Sequence, residues 1–337
     1  MITKTYIIAE VGPNHQGSLK LALKYIKQLS KIGIDAVKFQ IGIANEHYSK
    51  DSFKPNYHKK TSIDNDEIIK QAKKRLLKLK DHIKLYKECK KYKIDYICSA
   101  FDLVSLKFLY KYTKFSYFKI PSGEILSLDT LNFIKNKKIP IILSTGMASI
   151  DEINKTLNIL DYKKKNVTLL HCVSSYPTKL EDLNLNFMKI LKKRFKLPVG
   201  LSDHSKGYLA PIIAKSLGAV IIEKHVTFSR KLVGPDHKAS LTIKEFKQMI
   251  NFIRITEKIL GQSKKIISAD EKSNLRAVRK SCVSALDIFK GEKITRKHIS
   301  FKRPGTGIKP FDYKKFLKKK SKKFIEKDRI LKLQDFE

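Results

Sequence analysis

Eight short apolar runs, each followed by a helical pattern, recur along the first 225 residues of this 337-residue chain. The runs are residues 6–9, 35–39, 95–98, 117–120, 140–143, 167–171, 198–201 and 219–222. Each is β-branched and continuously apolar, as expected of a strand buried on both faces in a parallel sheet. Between them apolar residues return at helical spacing. Residues 19–31 carry Leu19, Ala22, Leu23, Ile26 and Leu29, and 68–92, 105–112, 128–136, 150–160, 182–193, 208–217 and 243–260 follow the same rule. Eight strand–helix units close a (β/α)8 TIM barrel. An open doubly wound sheet usually has fewer strands and a GxGxxG first turn. The first turn here is Gly12-Pro13-Asn14-His15-Gln16-Gly17. The stretch 42–66 is a long loop for a compact barrel and reads as functional.

The rhythm changes after Gly261. Residues 1–262 read as the barrel, 263–275 as a polar linker, and 276–337 as a small β-rich domain. Short strands are expected at 281–286, 292–294 and 299–302, and the Lys-rich stretch 314–332 as a solvated helix face. A domain of ~60 residues needs support from elsewhere.

Lys and Arg number 71 against 32 Asp and Glu, a formal charge of +39. Only nine of the 71 are Arg, the preferred reader of guanine and of phosphate forks. The lysines spread along the whole chain, so a solvated surface outweighs a nucleic-acid groove. A basic, non-catalytic nucleic-acid-binding protein remains the remote alternative. The four cysteines form no CxxC pair, and no run reaches the ~18 apolar residues of a membrane span. A reducing cytoplasm is the expected setting.

In such a barrel, chemistry sits at the C-terminal ends of the strands. Here those ends are polar: Glu10, Lys38 with Gln40, Ser99, Lys119 with Ser122 and Glu124, Ser144, His171 with Ser174 and Tyr176, Ser202-Asp203-His204, and Glu223-Lys224-His225. Lys38 and Lys119 interrupt apolar strands, and a buried Lys is costly unless compensated. An anionic ligand would compensate both, with Ser99, Ser122 and Ser144 as neutral donors. Pairing with Glu10, Glu124 or Glu223 is the plainer account. His204 and His225 end neighbouring strands and could share a divalent cation with open water positions. A pair of hydrogen-bonded core histidines is the alternative.

These segments resemble the bacterial sialic acid synthases. The matching stretches include Ala9-Glu10-Val11-Gly12-Pro13-Asn14-His15, Val37-Lys38-Phe39-Gln40, Lys119-Ile120-Pro121-Ser122-Gly123-Glu124, Gly200-Leu201-Ser202-Asp203-His204, Glu223-Lys224-His225 and Gly234-Pro235-Asp236-His237. Lys302-Arg303-Pro304-Gly305-Thr306-Gly307 resembles the signature of the family's antifreeze-like SAF domain. The resemblance implies condensation of phosphoenolpyruvate (PEP) with an open-chain N-acetylated amino sugar, in a domain-swapped homodimer of barrel and SAF domain. It implies metal ligands at His204 and His225, most simply for Mn2+, with Mg2+ or Co2+ as substitutes. It implies PEP contacts from Lys38, Ser99, Lys119, Ser122, Ser144, Ser174 and Ser202, with Ser174 standing where some members have Asn. Sugar contacts fall to Glu10, Tyr176, Asp236 and Arg303, and Glu10 is the candidate for proton transfer. The chain departs from the family at Ala100 and in Pro13 and Gln16. The stretch 234–241 looks more like synthases of neuraminic or legionaminic acid than of pseudaminic acid. Pseudaminic acid synthesis is the alternative, and a Schiff-base aldolase using Lys119 or Lys224 a remoter one.

Overall fold

The computed structural model describes residues 4–53 and 68–337. Contacts divide the chain into two units, Met1–Gln262 and Ser263–Glu337. The first unit contains β1 (Tyr6–Glu10), β2 (Ala36–Ile41), β3 (Asp95–Ala100), β4 (Phe118–Ile120), β5 (Ile141–Ser144), β6 (Val167–Cys172), β7 (Val199–Asp203) and β8 (Ile221–Thr227). Neighbours pair in parallel and in chain order, and β1 also pairs with β8, which closes the eight-stranded barrel. A two-residue strand, β9 (Leu241–Thr242), pairs in parallel with the end of β8.

Several strands run further than their apolar runs predict. The run 219–222 becomes Ile221–Thr227. The backbone ladder continues through Glu223, Lys224 and His225 because it does not depend on side-chain polarity. The period of two then sorts the side chains into two shells. Facing outward, Val37, Phe39, Tyr96, Leu169 and Ile222 join the large core beneath the helices. Facing inward, Ile8, Ala36, Ile97, Ile142, Leu170 and Ile221 form a separate apolar layer. Two residues further along each strand the inward positions turn polar: Glu10, Lys38, Ser99, Ser144, Cys172 and Glu223.

Gly200 sits in that crowded inner layer. A Cβ there would lie 2.3 Å from the Ile221 carbonyl oxygen and 2.7 Å from Leu170 Cδ2. The first contact is backbone, so no rotamer change relieves it. Gly200→Ala is expected to cost about 3 kcal/mol, the upper end for overpacking, read as a lower denaturation midpoint. A midpoint equal to wild type would refute the tight layer.

The expected helix over 68–92 is two helices, Ile68–Arg75 and Leu79–Lys91. Lys78 is extended between them, and Leu77 is buried at the break. The second helix buries His82, Leu85 and Cys89, and Leu79 and Tyr86 pack partly buried against the same core. Of the long loop 42–66, residues Ala44–His47 form one helical turn, and 54–67 lie outside the described residues.

Buried His82 contacts the Tyr96 hydroxyl through Nδ1 at 2.8 Å. Burial, helped by the charge of His15, lowers its pKa to about 3. The unfolded chain takes up that proton near pH 6.5, so stability falls as the pH drops through that value. At pH 5 this one residue should remove about 2 kcal/mol. Urea midpoints at pH 7 and pH 5 should therefore lie closer together in His82→Gln than in wild type. An unchanged gap would remove His82 as a cause of acid sensitivity.

In the second unit, β10 (Ser281–Ser284) pairs antiparallel with β11 (Ile299–Lys302) over a small core that includes Cys282, Ile288, Phe316 and Phe336. Residues 292–294 make a single bridge, Lys293 to Lys320, instead of a strand. The stretch 314–332 is not a helix. It ends a 3-10 segment, Pro310–Phe316, and then bridges singly at Lys320, Ser321, Ile325 and Ile330. Its apolar residues Phe316, Ile325 and Leu331 are too widely spaced for a helical stripe and enter the core one at a time. The expected linker 263–275 is also corrected, because helix Ala269–Val278 begins inside it. A capping box of Ser268 and Glu271 starts that helix, and it buries no residue, so its sequence shows no apolar period. No helix among the described residues is long and apolar enough to cross a membrane.

Candidate active site

Above the apolar layer, at the C-terminal ends of the strands, lies a cavity of about 640 Å³. Its floor is a buried network of two lysines and two carboxylates. Lys38 Nζ lies 2.9 Å from Glu10 Oε2, 3.6 Å from Glu223 Oε1 and 3.4 Å from Ser99 Oγ. Lys119 Nζ donates to Ser144 Oγ at 2.7 Å and lies 3.8 Å from Glu223 Oε1. Ser202 Oγ donates to the same Glu223 oxygen at 3.0 Å, and Gln40 Nε2 donates to Glu10 Oε1 at 2.8 Å. The lysines are therefore paired, with Glu10 and Glu223. Glu124 is not their partner and lies 4.0 Å from His47 Nδ1.

The charges in this network are unequal. Burial works against the Lys38 ammonium, but Glu10 and Glu223 outweigh it and raise its pKa. For Lys119 burial prevails over Glu223, and the pKa falls. Burial raises Glu10 despite Lys38, whereas Lys119 and Lys38 overcome burial and lower Glu223. Glu223 Oε2 is buried without a hydrogen-bond partner. Two cations, one oxygen short of partners, and hydroxyls from Ser144 and Ser202 make a floor that an anion can reorganise.

Ser122 and Ser174 close one wall, their hydroxyls 2.9 Å apart. Gly146 permits this approach, since a Cβ there would sit 2.5 Å from Ser174 Oγ. The two histidines stand with their ring centroids 5.3 Å apart. His204 Nδ1 donates to the Val173 carbonyl at 2.8 Å, which fixes the tautomer, so that in the neutral ring Nε2 carries the lone pair. Burial would lower His204, but Cys172 and the Val173 carbonyl raise it. Burial and the charge of His204 hold His225 well below its ordinary pKa. His225 is thus neutral at pH 7, so its 3.4 Å contact with Asp236 is not an ion pair there. Burial raises Asp236 to about 7, against the pull of His204. Tyr176 packs on both rings, at centroid distances of 4.0 and 5.7 Å.

His225 Nδ1 is buried without a hydrogen-bond partner. That orphaned nitrogen and the His204 lone pair fit a divalent cation held by two imidazoles with its other positions open. No cluster of three metal-binding side chains occurs among the described residues.

Glu10, Lys38, Lys119, Ser122, Ser144, Ser174, Tyr176, Ser202, His204, His225 and Asp236 all line this one cavity. Ser99 lies just behind it, in contact with Lys38. Arg303 follows β11 in the second unit and is exposed there. Lys224 does not line the cavity, being fully buried against Asp203. Glu223 and Gln40 are legible in sequence only as polar strand ends, Glu223 also as a partner for a lysine, and neither carries a site role there; Cys172 and the lining residues His47 and Arg75 carry no sequence signal. The spacing i, i+2 in Lys38–Gln40 and Glu223–His225 is the signal that finds two of them. The departures have local roles. Asp102, after Ala100, caps the following helix and also accepts the Ile43 amide at 2.8 Å. Gln16 takes a left-handed φ of 53° and donates to the Val233 carbonyl.

The sequence model of the NeuB family matches residues 25–265, and that of the SAF domain residues 279–337. The chain is 41% identical over 331 residues to the N,N'-diacetyllegionaminic acid synthase of Campylobacter jejuni, covering 97% of this chain and 99% of that one. It is 36% identical over 346 residues to a pseudaminic acid synthase of Campylobacter jejuni, with 99% and 97% covered. The crystal structure of an N-acetylneuraminic acid synthetase from Leptospira borgpetersenii superposes with a TM-score of 0.72 at 33% identity, covering 81% of this chain and 91% of that one. With its barrel, its SAF domain and these relatives, the chain belongs to the NeuB family and is an enzyme of the sialic acid synthase kind.

Proposed function

We propose that the enzyme condenses PEP with an open-chain 2,4-diacetamido-2,4,6-trideoxymannose, or with N-acetylmannosamine, to give a nine-carbon 2-keto acid and phosphate. One observation carries this reading: Lys38, Lys119 and Ser144 share a single cavity with His204 and His225. The identity to a legionaminic acid synthase favours the diacetamido sugar. Pseudaminic acid synthesis from the altrose isomer is the second reading, favoured by the 36% relative.

Lys38 and Lys119 bind the phosphate and carboxylate of PEP, and Ser99, Ser122, Ser144, Ser174 and Ser202 donate hydroxyl hydrogen bonds around them. Anion binding draws the lysines away from Glu10 and Glu223. His204 and His225 hold a divalent cation, Mn2+ in the first instance, which supplies Lewis-acid polarisation of the sugar's aldehyde oxygen. The methylene carbon of PEP attacks the aldehyde carbon, and water adds at the enol carbon. Phosphate then leaves with C–O cleavage. Glu10, whose raised pKa suits it to carry a proton, takes one from the added water and returns it to the new hydroxyl. Tyr176 and Asp236 orient the sugar. The aldolase reading loses Lys224, which is committed to Asp203 and the Ser205 carbonyl.

The same proposal includes a cytoplasmic homodimer in which Arg303 of one subunit reaches the sugar's acyl group in the other's cavity. Arg303→Ala should raise the sugar KM at least tenfold, about 1.4 kcal/mol, and leave the PEP KM unchanged. An unchanged sugar KM would remove Arg303 from the site.

Phosphate release from PEP with Mn2+ tests the whole reading. Fastest turnover of the diacetamido mannose sugar supports legionaminate synthesis, of N-acetylmannosamine neuraminate synthesis, and of the altrose isomer the second reading. No release with any of the three would overturn it.

A further inference from the structure

Behind the two imidazoles lies a buried ion pair that the chemistry above does not use. β7 and its exit read Ser202-Asp203-His204, and β8 reads Glu223-Lys224-His225. The strand period turns the outer members of each triplet into the cavity and the middle ones away from it. Asp203 and Lys224 are register partners, and both side chains are 0% exposed. The Lys224 ammonium donates to Asp203 Oδ2 and also to the Ser205 carbonyl. Asp203 Oδ1 accepts the Ser205 amide at 2.9 Å. The residues on both sides of His204 are thus tied to the residue preceding His225.

A buried ion pair is a poor source of stability, because desolvation offsets its attraction, and well-packed apolar residues often do as well. We infer that the Asp203–Lys224 pair is a positioning device for His204 and His225. It locks the backbone around one ring to the strand carrying the other, and so sets their spacing. The inference rests on the reading of these rings as cation ligands. Two imidazole nitrogens would serve one cation only when both reach a common point at bonding distance, so a small slip between β7 and β8 would weaken binding.

The test is the double variant Asp203→Leu/Lys224→Met, which removes both charges and strands neither. The expected result is a folded protein with Mn2+ binding weakened about 10–100-fold, by EPR of the free ion, lower kcat and an unchanged PEP KM. If the double variant does not fold, Asp203→Asn carries the same test. Wild-type Mn2+ affinity in a folded variant would overturn the inference. Should the wild type itself bind no Mn2+, the cation reading fails by itself. The brace is then judged by the 15N ring signals of His204 and His225: a shift in the variant supports it, and unchanged signals overturn it.

Discussion

Lys119→Met lowers kcat/KM for PEP by about 10³-fold, or about 4 kcal/mol, while the barrel still folds. The size follows from the environment. Lys119 is 5% exposed on the cavity floor, where water cannot replace a lost charge-assisted hydrogen bond to phosphate or carboxylate. Folding survives because Glu223 keeps Lys38 at 3.6 Å and the Ser202 hydroxyl at 3.0 Å. Lys38→Met is the contrasting case. It leaves Glu10 without its cation at 2.9 Å, and breaking a buried pair costs about 3–5 kcal/mol. Activity and stability should therefore separate at Lys119 and fall together at Lys38. Phosphate-release kinetics and thermal melts of both variants measure this. Lys119→Met within tenfold of wild type would take the lysine out of the anion site.

His204→Ala and His225→Ala each abolish metal-dependent turnover without unfolding the enzyme. His225 donates and accepts no hydrogen bond through Nδ1, so its removal costs packing alone. His204 loses its hydrogen bond to the Val173 carbonyl, worth about 1 kcal/mol, and a weak contact with the Cys172 thiol at 3.8 Å. Both losses are small beside the several kcal/mol expected from losing the group that polarises the aldehyde. Circular dichroism should match wild type, and Mn2+ should no longer restore turnover to chelated enzyme. Full activity of either variant, or of wild type in metal-free buffer, would remove the cation from the reaction.

The two tests draw on features of different legibility. Lys38 and Lys119 stood out because a lysine inside an apolar run asks for a partner, and His204 and His225 because adjacent strands end in histidine. Glu223 was harder, since in sequence it is one more charged residue after a strand. Only the register that sets it between Ser202 and both lysines makes it the hub of the floor. Asp203 and Lys224 looked like site residues by position, and the pleat turns both away from the cavity. The helix Ala269–Val278 buries nothing and so carries no apolar period, and the apolar pattern over 68–92 spans two separate helices, Ile68–Arg75 and Leu79–Lys91.

Chain order alone carries the eight strand–helix units, the change of architecture after Gly261 and the family, because apolar period and local motifs are properties of neighbouring residues. Which charged groups pair follows from the closed barrel instead. The Glu10, Lys38, Lys119 and Glu223 network joins residues up to 213 positions apart in sequence, and closing β1 against β8 brings them together. Ion pairing in a low-dielectric cavity depends on ångströms of separation, which chain order does not encode and barrel closure does.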